Sequence, residues 1–242
     1  MNCQLRQYCS CEELNFIYKH KIEFEAEPFC QIKCFFVPIF GLKSFKQFVW
    51  MRLIGGLNLK SLIVYGTRYG ATRGTAEEIA KVLEAKNIDV KLVNAKEEKI
   101  KDISDYGLIV VGSGIVCNRW VNEAEDFLKK FQKQLATKKV ALFASSVKSI
   151  AEKEGNIKEV EKMRKAILDD KVSKYHLNPI ALGLFGGIID FNKMNFLTRK
   201  GMEAAFKESL QTYGFKQTQP GAYDLHDWDE IHRWIEELVS KI

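Results

Sequence analysis

The stretch Ser61–Thr72, SLIVYGTRYGAT, joins an apolar run to a turn rich in glycine and threonine. The run Leu62–Tyr65 shows no alternation of polar and apolar residues, which is typical of a strand buried on both faces of a parallel sheet. Beyond the turn, four apolar residues repeat at helical spacing: Ala76, Ile79, Ala80 and Leu83. A strand, a turn and a helix N-terminus in this order direct free backbone N–H groups and the positive end of the helix dipole at one point. The sequence therefore predicts a phosphate-binding loop at Thr67–Thr72.

The glycine spacing separates this loop from two common phosphate-binding loops. A P-loop requires GxxxxGK[ST], and no lysine follows the glycines here. A dinucleotide-binding turn requires GxGxxG, which Gly66, Gly70 and Gly74 do not form. The remaining pattern is TxYGxT, formed by Thr67-Arg68-Tyr69-Gly70-Ala71-Thr72. The open alternative is an ordinary strand-to-helix turn that binds no ligand.

Strand and helix patterns alternate along the rest of the chain. Four more strands are predicted at Asp89–Ala95, Tyr106–Gly114, Lys139–Ser146 and Pro179–Gly187. Three more helices are predicted at Val121–Leu135, at Ile157–Leu168 and after Asp227, which has Glu230 in the capping-box position. This alternation predicts an α/β fold in which helices cover both faces of a parallel sheet. Ligands of such sheets bind beyond the carboxyl ends of the strands.

The loop Thr67–Thr72 resembles the FMN phosphate loop of the flavodoxins, T/S-x-T/Y-G-x-T. Two further loops, Ser113–Trp120 and Ser145–Ser149, follow the third and fourth predicted strands, where flavodoxins hold the isoalloxazine ring. The resemblance covers residues 61–242 in order. It implies FMN as the cofactor and a three-layer, doubly wound sheet of five parallel strands in the order 2-1-3-4-5.

The same resemblance implies which residues hold the cofactor. The phosphate would be held by Thr67, Arg68, Tyr69, Gly70, Ala71 and Thr72, and the ring would meet the backbone of Ser113, Gly114, Ile115, Ser145, Ser146 and Val147. Trp120 is the candidate for stacking on the ring, and the alternative is an aromatic residue that packs on the core. No metal and no catalytic side chain are expected, because flavin N5 carries the chemistry.

Two features of the sequence indicate which redox activity the protein has: the charge of the loops expected to face the flavin, and a long connection before the last helix. The loops expected to face the flavin carry Arg119 and Lys148 and no acid. One positive charge about 7 Å from the ring is worth roughly 2 kcal/mol at an effective dielectric near 20, and it favours two-electron chemistry over a low-potential shuttle. Gly186–Pro220 then separates the fifth strand from the last helix, where a short-chain flavodoxin has a tight connection. We therefore predict an insertion at about 188–220.

The insertion, the TRxGxT positions and Asp227-Trp228 resemble the flavodoxin-fold, menaquinone-dependent protoporphyrinogen dehydrogenases of heme biosynthesis. This resemblance implies hydride transfer from a substrate such as protoporphyrinogen IX to flavin N5, followed by transfer of both electrons to a quinone. Lys193, Arg199 and Lys200 could attract propionates or an anionic lipid, and a solvated helix face is the alternative. The other functions left open are a one-electron flavodoxin carrier with a redox-protein partner and a non-catalytic interaction module.

Residues 1–59 differ from the rest of the chain and are predicted to be an extension that precedes a domain at 60–242. Five of the six cysteines lie there, at Cys3, Cys9, Cys11, Cys30 and Cys34, in spacings that match neither zinc nor ferredoxin sites. The aromatic and basic stretches 30–57 and 191–200 could lie on an anionic membrane surface. The alternative for the extension is that the chain begins at Met51 and the preceding residues have no role.

The overall composition limits location and partners. The net charge of +6 is spread along the chain without a basic block, so no nucleic-acid partner is expected. Met1–Lys19 lacks the apolar core of a signal peptide, so we expect a cytoplasmic protein, peripheral to the membrane if either aromatic stretch binds it.

Overall fold

The structure, a computed structural model, describes residues 59–242. Its main sheet contains five parallel strands: β1 (Lys60–Gly66), β2 (Asp89–Asn94), β3 (Leu108–Val116), β5 (Lys139–Ser146) and β6 (Ala181–Gly186). They lie in the order β2-β1-β3-β5-β6, and the short β4 (Arg119–Trp120) pairs antiparallel with the end of β3. The predicted order 2-1-3-4-5 of the parallel strands is confirmed, and the predicted strand ends differ by at most two residues.

Helices cover both faces of this sheet, as the alternation of patterns predicted. On one face, Ile63 and Tyr65 of β1 share an apolar cluster with α1 (Ala71–Ala85) and α7 (Trp228–Ser240). On the other face, Leu62 and Val64 share a cluster with α2 (Asn122–Leu135). The two sets alternate because successive side chains of a strand point to opposite faces. Asp227 caps α7 by accepting the Glu230 N–H at 2.9 Å, as predicted.

The helical region between β5 and β6 is more broken than predicted. It contains α3 (Lys148–Lys153), α4 (Ile157–Arg164), a π-helical segment (Lys165–Asp169) and α5 (Asp170–Tyr175). The prediction that Ile157–Leu168 is helical is confirmed, but regular α-helix gives way to π-helix after Arg164. Within the π segment, the Ile167 carbonyl accepts the indole N–H of Trp120 at 2.7 Å. A hydrogen bond from a residue far away in the sequence thus accompanies the π segment. The helical spacing of apolar residues cannot predict such a bond.

The predicted insertion contains its own small sheet, which the sequence analysis missed. Its elements are β7 (Ile188–Asp190), a 3₁₀ turn (Phe191–Lys193), α6 (Phe196–Thr212), β8 (Lys216–Gln219) and β9 (Ala222–Asp224). The antiparallel order is β7-β9-β8, and every residue of β8 is exposed. Strands this short and polar have no hydrophobic alternation to reveal them. Ile189, Phe191, Leu210, Tyr223 and Leu225 pack together with Ile150 of α3, which fixes the insertion to the domain.

The junction between the main sheet and the insertion accepts only glycine. A Cβ on Gly186 would overlap the Leu225 carbonyl oxygen and Ser149 Oγ. Ser149 Oγ donates to that same carbonyl at 2.8 Å, and the Leu225 N–H donates to the Gly187 carbonyl at 2.9 Å. The close approach of two backbone segments therefore holds the insertion against the end of β6.

We expect Gly186→Ala to lower the free energy of unfolding by about 3 kcal/mol, because the added methyl group displaces backbone as well as side chain. The matched control is Gly201→Ala in α6, where a Cβ meets no atom within 4 Å. This control is expected to raise stability by about 0.5–1 kcal/mol, since alanine favours helix over glycine. Urea unfolding measures both values. Equal effects of the two substitutions would show that the junction tolerates a side chain.

A partly exposed cluster of donors ties α5 to α2 beside the π segment. Glu125 accepts hydrogen bonds from Lys174 Nζ at 2.6 Å and Tyr175 Oη at 2.9 Å, and it pairs with Lys171 Nζ at 2.8 Å. Burial raises the pKa of Glu125, but the three donors outweigh burial and lower it from 4.5 to about 2. The carboxylate therefore stabilises the fold above pH 4.5, and this contribution is lost as the pH falls towards 2.

We expect Glu125→Gln to lower the free energy of unfolding at pH 7 by about 1–2 kcal/mol, because the donors lose a charged acceptor. The difference from the unsubstituted protein should shrink steadily as the pH falls below 4.5. Urea unfolding from pH 7 to pH 3 measures it. Glu123→Gln, at an exposed position of the same helix, is the control for lost charge. A difference that stays constant over this range would contradict the assignment.

Candidate functional site

The loop between β1 and α1 folds on itself and leaves a helix N-terminus uncapped. Thr67 Oγ1 accepts the Gly70 N–H at 2.9 Å. Gly70 adopts φ +92°, a conformation that favours glycine, and it precedes α1 with no side-chain cap. The first turn of α1 contains no acidic residue. Its backbone N–H groups and the positive end of the helix dipole therefore suit an anion.

Two buried hydroxyl groups next to this loop have no hydrogen-bond partner among residues 59–242. They are Thr72 Oγ1, on the first turn of α1, and Ser145 Oγ, at the end of β5. A Cβ on Gly114 would lie 3.0 Å from Thr72 Oγ1, and a Cβ on Gly187 would lie 3.1 Å from Cβ of both Ala71 and Ser145. A buried hydroxyl without a partner costs about 1–3 kcal/mol. The Thr72 hydroxyl and the narrow space kept by the glycines fit a bound phosphate.

A cavity of about 290 Å³ opens beside the loop. Nine of the residues predicted to bind the cofactor line it: Thr67, Arg68, Tyr69, Ala71, Gly114, Ile115, Ser145, Ser146 and Val147. The sheet brings them together because β1, β3 and β5 are parallel neighbours and end at the same edge. Their contacts with a flavin stay a prediction.

The other four predicted residues lie around the cavity wall rather than in it. Gly70 is part of the loop, and Thr72 is fully buried behind it. Ser113 is also fully buried, where its hydroxyl accepts the Val121 N–H at 3.1 Å and donates to the Gly114 carbonyl at 2.9 Å. Ser113 therefore fixes the loop after β3 to the start of α2. Trp120 is the fourth.

Trp120 does not occupy the position predicted for a ring-stacking residue. Only 3% of it is exposed, it packs in the core cluster under α2, and it does not line the cavity. Its indole N–H is satisfied by the Ile167 carbonyl. The stacking role is thus corrected to a core role, the alternative that the sequence left open. Ile167, the residue that accepts this hydrogen bond, does line the cavity.

The positive charges predicted to face the flavin also lie elsewhere. Lys148 is 4% exposed and its ammonium pairs with Glu152 at 2.7 Å and Glu230 at 2.8 Å. Arg119 is exposed on β4 and does not line the cavity. Contrary to the prediction, neither residue therefore brings a positive charge to the cavity wall. Among residues 59–242, Arg68 is the one charged side chain in the cavity wall, and no Asp or Glu lines it.

The cavity has a second wall that the sequence analysis did not assign to the site. It is formed by Met194, Thr198, Met202 and Phe206 from the insertion, and by Met163 and Ile167 from the region of the π segment. The apolar spacing of Met202 and Phe206 was a visible signal, since both lie on the face of α6 that leads to buried Leu210. That spacing predicts a buried face, and it does not say that the face borders a cavity.

The turn that completes the wall is a tight hairpin. β3 and β4 are joined by Cys117 and Asn118, with φ values of 49° and 60°. Two positive φ values in a two-residue loop are typical of a type I′ turn, which matches the twist of the strands. Cys117 is a free, exposed thiol at the cavity.

Two further predictions concern other regions. Within residues 59–242, no group of His, Cys, Asp and Glu is placed to hold a metal ion, and no helix is long and apolar enough to cross a bilayer. The cysteine pattern of the extension, its alternative start at Met51 and the proposed membrane stretch 30–57 lie outside the described residues. The boundary at residue 60 stays a prediction.

We expect Thr72→Val to separate stability from cofactor binding. Removal of an unpartnered buried hydroxyl should raise the free energy of unfolding of the FMN-free protein by about 1 kcal/mol. Loss of one hydrogen bond to a charged phosphate should raise the dissociation constant for FMN about tenfold. Urea unfolding and quenching of FMN fluorescence measure the two effects. Thr72→Ser, which keeps the hydroxyl, should bind FMN normally. Undiminished binding by the valine variant would remove Thr72 from the phosphate site.

The chain was compared with known proteins. A flavodoxin from Maridesulfovibrio salexigens is 34% identical over 93 residues, which cover 35% of this chain and 61% of that flavodoxin. A short-chain flavodoxin associated with a non-canonical PDU bacterial microcompartment aligns at 16% identity and a TM-score of 0.46, covering 76% of this chain and 98% of the other. The rubredoxin oxygen:oxidoreductase of Desulfovibrio gigas aligns at 16% identity and a TM-score of 0.38, covering 64% of this chain but only 36% of the other.

The model of the flavodoxin domain matches residues 62–217, which is more than half of the chain. The match includes the phosphate loop, the main sheet and most of the insertion. FMN, the predicted cofactor, is the cofactor of this family. The chain therefore belongs to the flavodoxin domain family, whose members bind FMN.

Proposed function

We propose that this protein is an FMN-dependent oxidoreductase that transfers two electrons between a small, largely apolar substrate and a quinone. The observation that carries this proposal is the second wall of the cavity, where the insertion adds Met194, Met202 and Phe206. A one-electron carrier exchanges electrons across an open ring edge with another protein. An apolar wall over the cavity instead suits a small molecule, because apolar pockets with a few polar groups bind such ligands.

In this proposal, the chain's own residues bind and orient the cofactor. The N-terminal N–H groups of α1 and the hydroxyl of Thr72 would hold the phosphate, and the backbone of Ser145 would meet the ring. Ile115 and Val147 lie in the cavity wall, where they would exclude water from the ring. Bound FMN supplies the two-electron chemistry, and the protein supplies position and electrostatics.

The charge of the cavity wall supports the two-electron activity. Arg68 is positive, and no carboxylate of the described residues lines the cavity. A positive side chain stabilises negative charge that develops on reduction, whereas carboxylates near the ring would oppose it. Arg68 therefore replaces Arg119 and Lys148 in the electrostatic argument.

The finer proposal is that the substrate is a porphyrinogen such as protoporphyrinogen IX. It rests on the resemblance of the insertion and of Asp227-Trp228 to the protoporphyrinogen dehydrogenases. It rests also on two cations of α6 that could bind the propionates of a porphyrinogen. Arg199 Nε pairs with Glu203 at 2.9 Å, and Lys200 Nζ lies 4.6 Å from the centroid of the Phe196 ring. Both cations stay on the surface of α6, where they can also bind an outside carboxylate.

The start of α6 supports a peripheral contact with an anionic membrane, in which a lipid quinone resides. Phe196 is 71% exposed and Leu197 is 81% exposed. Lys193, Arg199 and Lys200 lie within four residues of this apolar pair. Exposed apolar side chains beside cations suit a surface of acyl chains and anionic headgroups.

The second candidate function is one-electron transfer to a redox-protein partner. The observation that favours it is the 34% identity with a protein named flavodoxin. A non-catalytic interaction module is the third reading, and it requires that the cavity bind no FMN.

The proposal is tested by anaerobic reductive titration of the full chain with FMN, followed by mixing with menadione as a soluble quinone. We expect one spectral transition that consumes two electrons, and rapid reoxidation by the quinone. Two separate one-electron transitions with slow reoxidation would support the carrier. Absence of bound FMN would support the interaction module and would overturn both redox functions.

A variant of the second wall sharpens this test. Phe206→Ala should raise the KM for menadione about tenfold, because truncation removes an apolar wall contact of about 1–2 kcal/mol. The affinity for FMN should change less than twofold. Phe196→Ala, at an exposed position of the same helix that does not line the cavity, is the control and should leave the KM unchanged. Equal effects of the two variants would contradict a substrate site beside α6.

A further inference from the structure

Lys193 brings a positive charge from the insertion to the phosphate loop. A Cβ on Gly70 would lie 3.7 Å from Lys193 Nζ. Gly70 is the residue of positive φ that ends the loop and immediately precedes α1. The ammonium group therefore lies beside the uncapped helix N-terminus, although 123 positions of the chain separate the two residues (193 minus 70).

The backbone that carries Lys193 is held in place by its neighbours. The Phe191 N–H donates to the Gly221 carbonyl at 2.9 Å, and Asn192 Nδ2 donates to the Pro220 carbonyl at 2.8 Å. Phe191 itself is 2% exposed in the core of the insertion. The turn that presents Lys193 is thus anchored to the connection between β8 and β9.

The buried carboxylate of Asp190 directs the side chain of Lys193. Asp190 is 1% exposed, and it accepts the Asn192 N–H at 3.0 Å and Gln219 Nε2 at 3.4 Å. Lys193 Nζ pairs with Asp190 Oδ2 at 3.3 Å. An ammonium group has three donors, so this pairing leaves donors for a second anion. Since 59% of the Lys193 side chain is exposed, an incoming phosphate can reach it.

We propose that Lys193 is a ligand of the FMN phosphate, so that the insertion completes the phosphate site as well as the second wall. This inference rests on the proposed binding of FMN at the loop Thr67–Thr72. The loop and Thr72 supply neutral donors, and Lys193 supplies the charge that a phosphate dianion favours. Binding should then discriminate FMN from riboflavin, which has the same ring and no phosphate, more strongly than neutral donors alone achieve.

The test is titration of the FMN-free full chain with FMN and with riboflavin, followed by quenching of flavin fluorescence. We expect Lys193→Gln to raise the dissociation constant for FMN about tenfold, as for the loss of one hydrogen bond between charged groups. The constant for riboflavin should change less than twofold. Lys193→Arg should recover part of the affinity for FMN, because it restores the charge.

Lys207→Gln is the matched control, because it removes the same charge from an exposed position of α6. It should leave both constants unchanged. Raising the salt concentration should weaken FMN binding less in Lys193→Gln than in the unsubstituted protein, because one charge contact with the phosphate is gone.

Three results would overturn the inference. If Lys193→Gln binds FMN within twofold of the unsubstituted protein, Lys193 is not a phosphate ligand, although the binding of FMN stands. If Lys193→Gln raises the dissociation constants for FMN and for riboflavin by the same factor, Lys193 acts only on the fold of the insertion. If the unsubstituted protein binds neither flavin, the inference and the proposed function fail together.

Discussion

The register of β1, β3 and β5 is the constraint on which the site depends. Gly66 lies opposite Ser113, and Gly114 lies opposite Ser145. Parallel pairing thus brings the ends of three strands, separated by many residues along the chain, to one edge of the sheet. The glycines keep this edge narrow, since a Cβ on Gly66 would overlap Val121 and a Cβ on Gly114 would crowd the Thr72 hydroxyl. The cavity, and the alignment of the loops that border it, follow from this register.

The insertion changes what this edge can do. In the main sheet alone, the loops after β1, β3 and β5 border the cavity from one side. The close approach of Gly186 to Leu225 and the packing of Ile150 hold the insertion against the same edge. Its sheet and α6 then add an apolar wall, and its 3₁₀ turn adds Lys193. One segment therefore borders both the cavity and the loop Thr67–Thr72.

Two side chains that were predicted to face the cavity, Lys148 and Trp120, point elsewhere. Their positions in the sequence did not determine their directions. Lys148 directly follows a cavity residue, Val147, but its ammonium turns to Glu152 and Glu230. A buried ammonium is costly without partners, so the nearest carboxylates decide its direction. Trp120 is similar, because its indole N–H finds the Ile167 carbonyl in the core. Among residues 59–242, Arg68 is therefore the charged residue of the cavity wall.

Local sequence determined the fold class, the order of the elements and the loop that ends β1, because buried strands, amphipathic helices and helix caps depend on neighbouring residues. The capping of α7 by Asp227 and the buried face of α1 are examples. Tertiary structure alone decided that Trp120 packs in the core, that a π segment interrupts the helix after Arg164, and that Lys193 reaches Gly70. Each of these depends on contacts between distant residues, whose directions no local pattern of the chain encodes.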